Sequence, residues 1–472
     1  MWQDALRRLK GLPPVVWGLG LVSLLTDAAS DMVVPLLPAL MAGLGGGALA
    51  LGVMEGLAEA TSAAIKVGTG AAVDRGARPA RLVVIGYGLA AIVRPLYALA
   101  GAPWHAAALR SADRVGKGLR SAPRDGLIAA AVERGQRGLA FGVHRSMDNL
   151  GAVLGGGLAF VLLGLGLSLE QVLLASIVPG VLSTVVAIAV TRRAAADAPR
   201  QGGPAEPGGG SAEATAAEVR PAPLPPAAKR LLIVIGVFSL SASADTFLLA
   251  HLARQGLALQ WLPLAWVCLQ LAKAALNVPG GAIADRVGPK RALVLGWVTY
   301  ALTYAAFALS PSPWVMWLLF LLYGVFYELT EEAEKAFIAG VCPPGARSKG
   351  FGALAAITGA ALLPANVLFG AVYDVSAATA FWLTAALALA AAMLVATLVP
   401  SPACQARARD AWRGCSGSSA ARAPPLRPTR SCSRPAPLPR APRAPPPPPR
   451  PISRSSAPSR STCAPNGSRA RS

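Results

Sequence analysis

Between residues 14 and 399 the chain divides almost wholly into apolar runs of roughly 20 residues, the length that crosses a bilayer at 1.5 Å per residue. Twelve such runs fall near 14–41, 48–72, 80–101, 103–131, 138–165, 169–191, 230–250, 257–283, 290–310, 313–340, 348–372 and 376–399. In hydrocarbon every backbone N–H and C=O must be satisfied within the protein, which leaves helices as the solution for runs of this length. The expected fold class is therefore an all-α membrane protein of twelve transmembrane helices. Composition agrees, with 54% hydrophobic and only 14% charged residues, against about 25% charged in soluble domains. A disordered chain and a soluble enzyme are both excluded. The fourth, fifth and tenth runs cross a bilayer only if charged side chains sit at membrane depth.

The formal net charge of +21 would suit a nucleic-acid binder if it were spread over the chain. It is not: residues 401–472 hold 14 Arg, no Lys and one acid, Asp410, so +13 lies there and +8 remains for the rest. The remaining basic residues gather on alternate connections: Arg75, Arg78 and Arg81; Arg134 and Arg137; Arg192 and Arg193; Arg286, Lys290 and Arg291; Arg347 and Lys349. By the positive-inside rule those connections and both termini face the cytoplasm, with His251 and Arg254 left outside. A multi-pass protein of a bacterial inner (plasma) membrane is expected, with no nucleic-acid partner. Arg7, Arg8 and Lys10 precede the first run, which carries no convincing cleavage site and reads as a retained span. Three histidines and no CxxC pair argue against a metal site, and no cofactor is expected.

The tail, 401–472, contains 16 Pro and 13 Ser and almost no large apolar residues. It cannot bury a core, and the expectation is disorder. It reads either as a basic arm for anionic lipid or a partner, or as what a GC-rich gene yields when translated out of frame. A second polar stretch, 192–229, is rich in Pro, Gly and Ala and reads as a cytoplasmic linker. It separates residues 1–191 from 230–400, six runs on each side.

Those halves repeat. GAAVDRGARPARLVV at 70–84 matches GAIADRVGPKRALVL at 281–295, GLIAAAV at 126–132 matches AFIAGVC at 336–342, and AFG at 140–142 matches GFG at 350–352, at offsets of 210 or 211. Three matches at offsets within one residue of each other imply two pseudo-symmetric six-helix bundles with a cavity between them near the midplane. In the repeated turn, Gly70, Asp74 and Arg75 recur as Gly281, Asp285 and Arg286. Here the chain resembles the major facilitator superfamily, whose signature between spans two and three is G-x-x-x-D-R-x-G-[RK]-[RK]. The second copy fits well. In the first, Gly76 comes one place early. The resemblance covers residues 14–399 and implies a cytoplasmic gate latch at Gly70, Asp74, Arg75, Gly281, Asp285 and Arg286.

Ionisable residues within spans are costly, and they usually face a bundle interior or a wet cavity. Asp27 and Asp31 share a face of span one with Ser23 and Ser30. Glu55, Glu59, Ser62 and Lys66 share a face of span two. Either glutamate could instead neutralise Lys66 or Arg94. Span four carries Arg110, Asp113, Arg114, Lys117, Arg120 and Arg124 within an arc of about 140° at 100° per residue. Arg110 sits about 10 Å from the outer end and resembles the family's fourth-span arginine, which serves proton coupling in antiporters. Span five brings Arg145 and Asp148, then Gly151, Gly155, Gly156 and Gly157. The glycines resemble the family's antiporter motif without its proline, and tight helix packing explains them equally well. Asp245 is an acid within span seven. Span ten carries Glu328, Glu331, Glu332 and Lys335, flanked by Tyr323 and Tyr327. A basic stripe in one half and an acidic stripe in the other could bind a charged or zwitterionic solute, or form alternating salt bridges.

With no nucleotide-binding motif, energy must come from a gradient. The resemblance implies a monomeric alternating-access transporter in the lipid bilayer, moving a small-molecule substrate, most simply by proton-coupled efflux. Uptake of an anionic solute, and a non-transporting sensor or scaffold on the same fold, stay open at this point.

Overall fold

A computed structural model of the chain describes residues 11–133, 136–197, 223–310, 312–342 and 344–400. Among the described residues all regular structure is helical. The first span is α1 (Pro14–Val33), a 3-10 turn (Val34–Leu36) and α2 (Leu37–Gly43), broken where Pro35 and Pro38 remove backbone donors. Then follow α3 (Ala48–Asp74), α4 (Pro79–Val93) with a 3-10 extension (Pro95–Leu99), α5 (Pro103–Ala131), α6 (Arg137–Gly164), and the pair α7 (Leu169–Ala175) and α8 (Ile177–Asp197). The second half holds α9 (Pro226–Ser241) and α10 (Asp245–Arg254), which share one span, then α11 (Trp261–Val287), α12 (Pro289–Leu309), α13 (Pro313–Val341), α14 (Pro344–Val375) and α15 (Ala377–Leu398). Seven begin with a proline at the first helical position, where its missing N–H costs nothing: α1, α4, α5, α9, α12, α13 and α14.

Among the described residues, nine of the crossings are long and apolar enough to span a membrane by length and composition. The other three are α5, α11 and α13. For α11 and α13 the described apolar stretches are Trp261–Leu276 and Pro313–Tyr327, and α5 is held back by its charges. The fifth run, where the sequence predicts a dependence on buried charge, is among the nine. The helices also enter the predicted linker from both sides, to Asp197 and from Pro226. The hydropathy rule marks a bilayer edge, and a helix need not stop there. Residues 401–472, where the sequence predicts disorder, lie outside the described residues.

The halves meet along two antiparallel helix pairs, α3 with α14 and α6 with α11. Glycine sets the closeness of both. A Cβ at Gly52 would run into the Asn366 carbonyl, one at Gly370 into the Ala48 carbonyl, and one at Gly56 would stand 2.8 Å from Leu363. At Gly156 it would stand 2.6 Å from Val267. Gly151 and Gly155 press instead on the backbone of α1 at Leu24 and Ala28, within the first half. Toward the linker end this closeness is lost. Gly359 still meets Ala63 at 3.0 Å, but Gly68, Gly70 and Gly352 have nothing within 4 Å of a built Cβ. Among the described residues the two halves are thus closed together at the end away from the linker, and the glycines toward the linker end make no such close approach.

Candidate functional site

Between the halves lies a cavity of about 520 Å³. Helical spacing aims its polar lining. Asp27 and Asp31 lie one turn apart on α1, Glu55 and Glu59 one turn apart on α3, and Arg110, Arg114 and Lys117 follow at i, i+4 and i+7 on α5. Asp148 enters from α6. The opposite wall brings Asp245, Trp266, Gln270, Tyr300, Tyr323, Tyr327 and Asn366.

Two cations of the basic stripe of α5, Arg110 and Arg114, are paired within their own half. Arg110 donates through Nε (3.2 Å) and Nη2 (3.0 Å) to Glu55 Oε2, and both side chains are at most 4% exposed. Arg114 Nη2 lies 3.1 Å from Glu59 Oε1. Pairing of this kind is what keeps a buried charge tolerable, because an orphaned partner costs several kcal/mol. Glu55 Oε1 remains buried without a hydrogen-bond partner, and so does Asp148 Oδ1, whose other oxygen lies 3.4 Å from His144 Nδ1. Glu55 and Asp148 both line the cavity, and each keeps one buried oxygen with unused accepting capacity.

In the second half Asp245 is the hub. Its Oδ1 accepts from the Tyr323 hydroxyl at 2.9 Å and the Tyr327 hydroxyl at 2.7 Å, and Oδ2 accepts from Lys273 Nζ at 3.2 Å. Lys273 Nζ also sits 3.7 Å from the centre of the Tyr327 ring, a cation–π distance. Asp245 can enter the cavity because the seventh span breaks at 242–244, between α9 and α10. The break exposes backbone polar groups inside the protein, and side chains satisfy them. Tyr300 OH donates to the Ser241 carbonyl at 3.0 Å, Asn366 Oδ1 accepts from the Ala244 N–H at 2.8 Å, and the Ser243 and Tyr304 hydroxyls are 2.7 Å apart.

A buried hydrogen bond crosses the cavity. Trp266 Nε1 on α11 donates to Asp31 Oδ1 on α1 at 2.7 Å. The carboxylate is 7% exposed and the indole 8%. A change in the charge of Asp31 is therefore felt directly by the other half.

Asp27, Asp31, Glu55, Glu59, Arg110, Arg114, Lys117, Asp148 and Asp245 all line this one cavity. Lys66 does not. It is exposed, 11 residues along α3 from Glu55, about 16 Å at 1.5 Å per residue. Arg94 is buried behind the wall, where Nε meets Asp113 Oδ1 at 3.0 Å and Nη1 donates to the Thr26 carbonyl at 2.6 Å. It ties the end of α4 to α5 and α1, a clamp outside the cavity lining. Arg145 points to the exposed side of α6 and is not among the lining residues. At the linker end Gly70 is uncrowded, and Arg75 and Arg286 are exposed. The side chains of Asp74, Asp285, Glu328, Glu331 and Glu332 and the surroundings of Gly281 lie outside the described residues. Sequence reasoning missed Lys273, Trp266, Gln270 and Asn366. Lys273 had a usable signal, a cation deep in an apolar run. The other three had none.

Two helical bundles enclosing a polar, charge-paired cavity at their interface, open toward one end, define a membrane transporter fold. The sequence profile of the Major Facilitator Superfamily matches residues 19–269 and 231–445. The chain belongs to that superfamily: it is a multi-pass membrane transporter of a small-molecule substrate, and not an enzyme. An uncharacterised MFS-type transporter of Methanocaldococcus jannaschii is 28% identical over 390 residues, 80% of this chain and 94% of the relative. A multidrug resistance protein, MdtH, of Klebsiella pneumoniae is 36% identical over 85 residues, covering 18% of this chain and 21% of its own length. The solved structure of the nucleoside transporter NupG aligns over 81% of this chain and 98% of its own, with a TM-score of 0.63 at 14% identity.

Proposed function

We propose that this protein exports a small organic solute bearing a cationic or other hydrogen-bond-donating group in exchange for protons, as a monomer alternating between two openings. The observation that carries the reading is the charge balance of the cavity. Among the described residues six carboxylates line it against three cations, Arg110, Arg114 and Lys117, with a fourth, Lys273, reaching Asp245 from behind the lining. Two of those cations are held by Glu55 and Glu59. Such a chamber is costly to close unless protons or a cationic group enter it.

Asp31 is the residue best placed to couple occupancy to motion, because its carboxylate holds Trp266 of the other half. A proton on Asp31 removes the charge that strengthens this bond, which favours separation of the halves at the cavity. The Lys and Arg distribution supports a cytoplasmic linker end and cytoplasmic termini in a bacterial inner membrane. On that orientation the described state is open to the cytoplasm, ready to load an export substrate. The short match to a multidrug resistance protein supports export over uptake. The alternative of anionic-solute uptake rested on the basic stripe and on the proline missing from the glycine motif of span five, and the pairing of Arg110 and Arg114 with glutamates weakens the first of these.

The test is proton movement in proteoliposomes holding the full chain and an internal pH dye, challenged with cationic, zwitterionic and anionic solutes. The expected result is proton flux driven by a cationic or zwitterionic solute and reduced at least about tenfold by Asp31→Asn. Flux driven only by anions would overturn the substrate class. Solute exchange without proton movement would return the carboxylates to structural roles. Failure of every solute would favour a sensor or scaffold.

A further inference from the structure

The α3 helix has a start that its own sequence cannot finish. The first N–H groups of a helix have no intrahelical partner and are ordinarily met by a Ser, Thr, Asp or Asn just before them. Here Gly45, Gly46 and Gly47 precede Ala48, and the capping position has no side-chain hydrogen bond of its own. The cap comes from the other half. Asp374, one residue before the end of α14, accepts the Ala48 N–H on Oδ1 at 2.7 Å and the Leu49 N–H on Oδ2 at 2.8 Å. A carboxylate at this place also meets the positive end of the α3 dipole.

The fit requires glycine on the facing side. A Cβ at Gly47 would stand 2.9 Å from both Asp374 oxygens. Its backbone, φ −78° and ψ −171°, suits any residue, so conformation does not demand glycine there. The carboxylate's approach does. Asp374 is exposed to solvent, so water can replace the bond when it opens. The cap joins the two halves by side-chain hydrogen bonds, as the Asp31–Trp266 bond does deeper in the cavity.

We infer that Asp374 is a gate residue, a reversible latch that holds the linker-distal mouth of the cavity shut by capping α3 across the bundle interface. The inference rests on the alternating-access part of the proposed function and is independent of coupling ion and cargo. Its position is at the end of the cavity opposite the repeated turn that carries Arg75 and Arg286.

The test uses the full chain in lipid, its native cysteines replaced by alanine, with nitroxide labels at Trp104→Cys and Gln255→Cys. Both positions are exposed at the distal end, one on each half. Inter-label distances are read by pulsed electron resonance without any transport assay, so failure of the transport reading does not obscure the result. The parent is expected to show mainly the short distance. Asp374→Ala should shift the ratio of long to short populations about tenfold, the scale of losing a charge-assisted cap at a solvated site. Gly47→Ala should shift it in the same direction by displacing the carboxylate. In the double variant Gly47→Ala should add nothing, because its effect acts through Asp374. Unchanged distances in both single variants, each confirmed folded by its melting temperature, would overturn the latch. So would independent, additive effects in the double variant.

Discussion

Glu55 shows how one side chain can serve two purposes at once. Oε2 holds Arg110, while Oε1 is buried, unpartnered and part of a residue lining the cavity. Removing the carboxylate strands a buried guanidinium, which costs about 3–5 kcal/mol. Glu55→Ala should therefore lower the thermal midpoint strongly in detergent. The paired replacement Glu55→Leu with Arg110→Met should recover most of that loss while leaving transport dead. A structural pair without a transport role would instead recover activity together with stability. Asp245→Asn makes a second test at this scale. It removes the charge that accepts from Tyr323, Tyr327 and Lys273. Solute affinity, read by quenching of Trp266 fluorescence, should fall about tenfold or more, since hydrogen bonds to a charged group contribute roughly 1.5–3 kcal/mol.

At the scale of elements, glycine position separates packing from mere abundance. Gly151, Gly155, Gly156 and Gly157 look alike in the sequence, yet the first two touch α1, the third touches α11, and the fourth has nothing within 4 Å. Gly155→Ala should cost about 1–3 kcal/mol through overpacking. Gly157→Ala should be neutral or stabilise α6 by up to about 1 kcal/mol through helix propensity. Melting curves of the two variants check both. The helices themselves were legible in the sequence, because bilayer thickness imposes a length and Pro and Gly punctuate the ends. Cavity-facing acids were legible for a similar reason, since Asp27, Asp31, Glu55 and Glu59 recur at one-turn spacing. Partner choice was not legible. Nothing in the spacing says that Arg94 takes Asp113 rather than a glutamate, or that Trp266 reaches Asp31 over 235 positions. Such pairings are settled by how whole helices cross, which no local pattern records.

For the whole molecule, the twelve crossings are complete by Leu398. Every residue of the cavity, the distal cap and the repeated turn precedes residue 400. A chain ending there is expected to keep solute transport in proteoliposomes within about twofold of the full chain, a change too small to exceed about 0.4 kcal/mol at RT ≈ 0.59. A larger loss would give the arginine-rich tail a part in transport. The repeat found in the sequence places corresponding turns at one end of both halves, but the halves do not use their cavity faces alike. One holds two carboxylate–arginine pairs, while the other gathers three polar groups on Asp245. The backbone plan is duplicated and the chemistry is not.

The gap between α9 and α10 has a mechanical meaning. α10 is a stub of 10 residues, about 15 Å long at 1.5 Å per residue, packed against α2 of the opposite half. Because three non-helical residues join it to α9, it can tip like a short lever on a pivot without bending a continuous rod. The work of tipping falls on the tethers at the break from Tyr300, Tyr304 and Asn366 and on the bonds α10 makes through Asp245 and His251, and the hydrogen-bond ladder of α9 is left alone. Ser243 and Asp245, which line the cavity, sit at the pivot itself, where a small displacement is magnified along the stub's length.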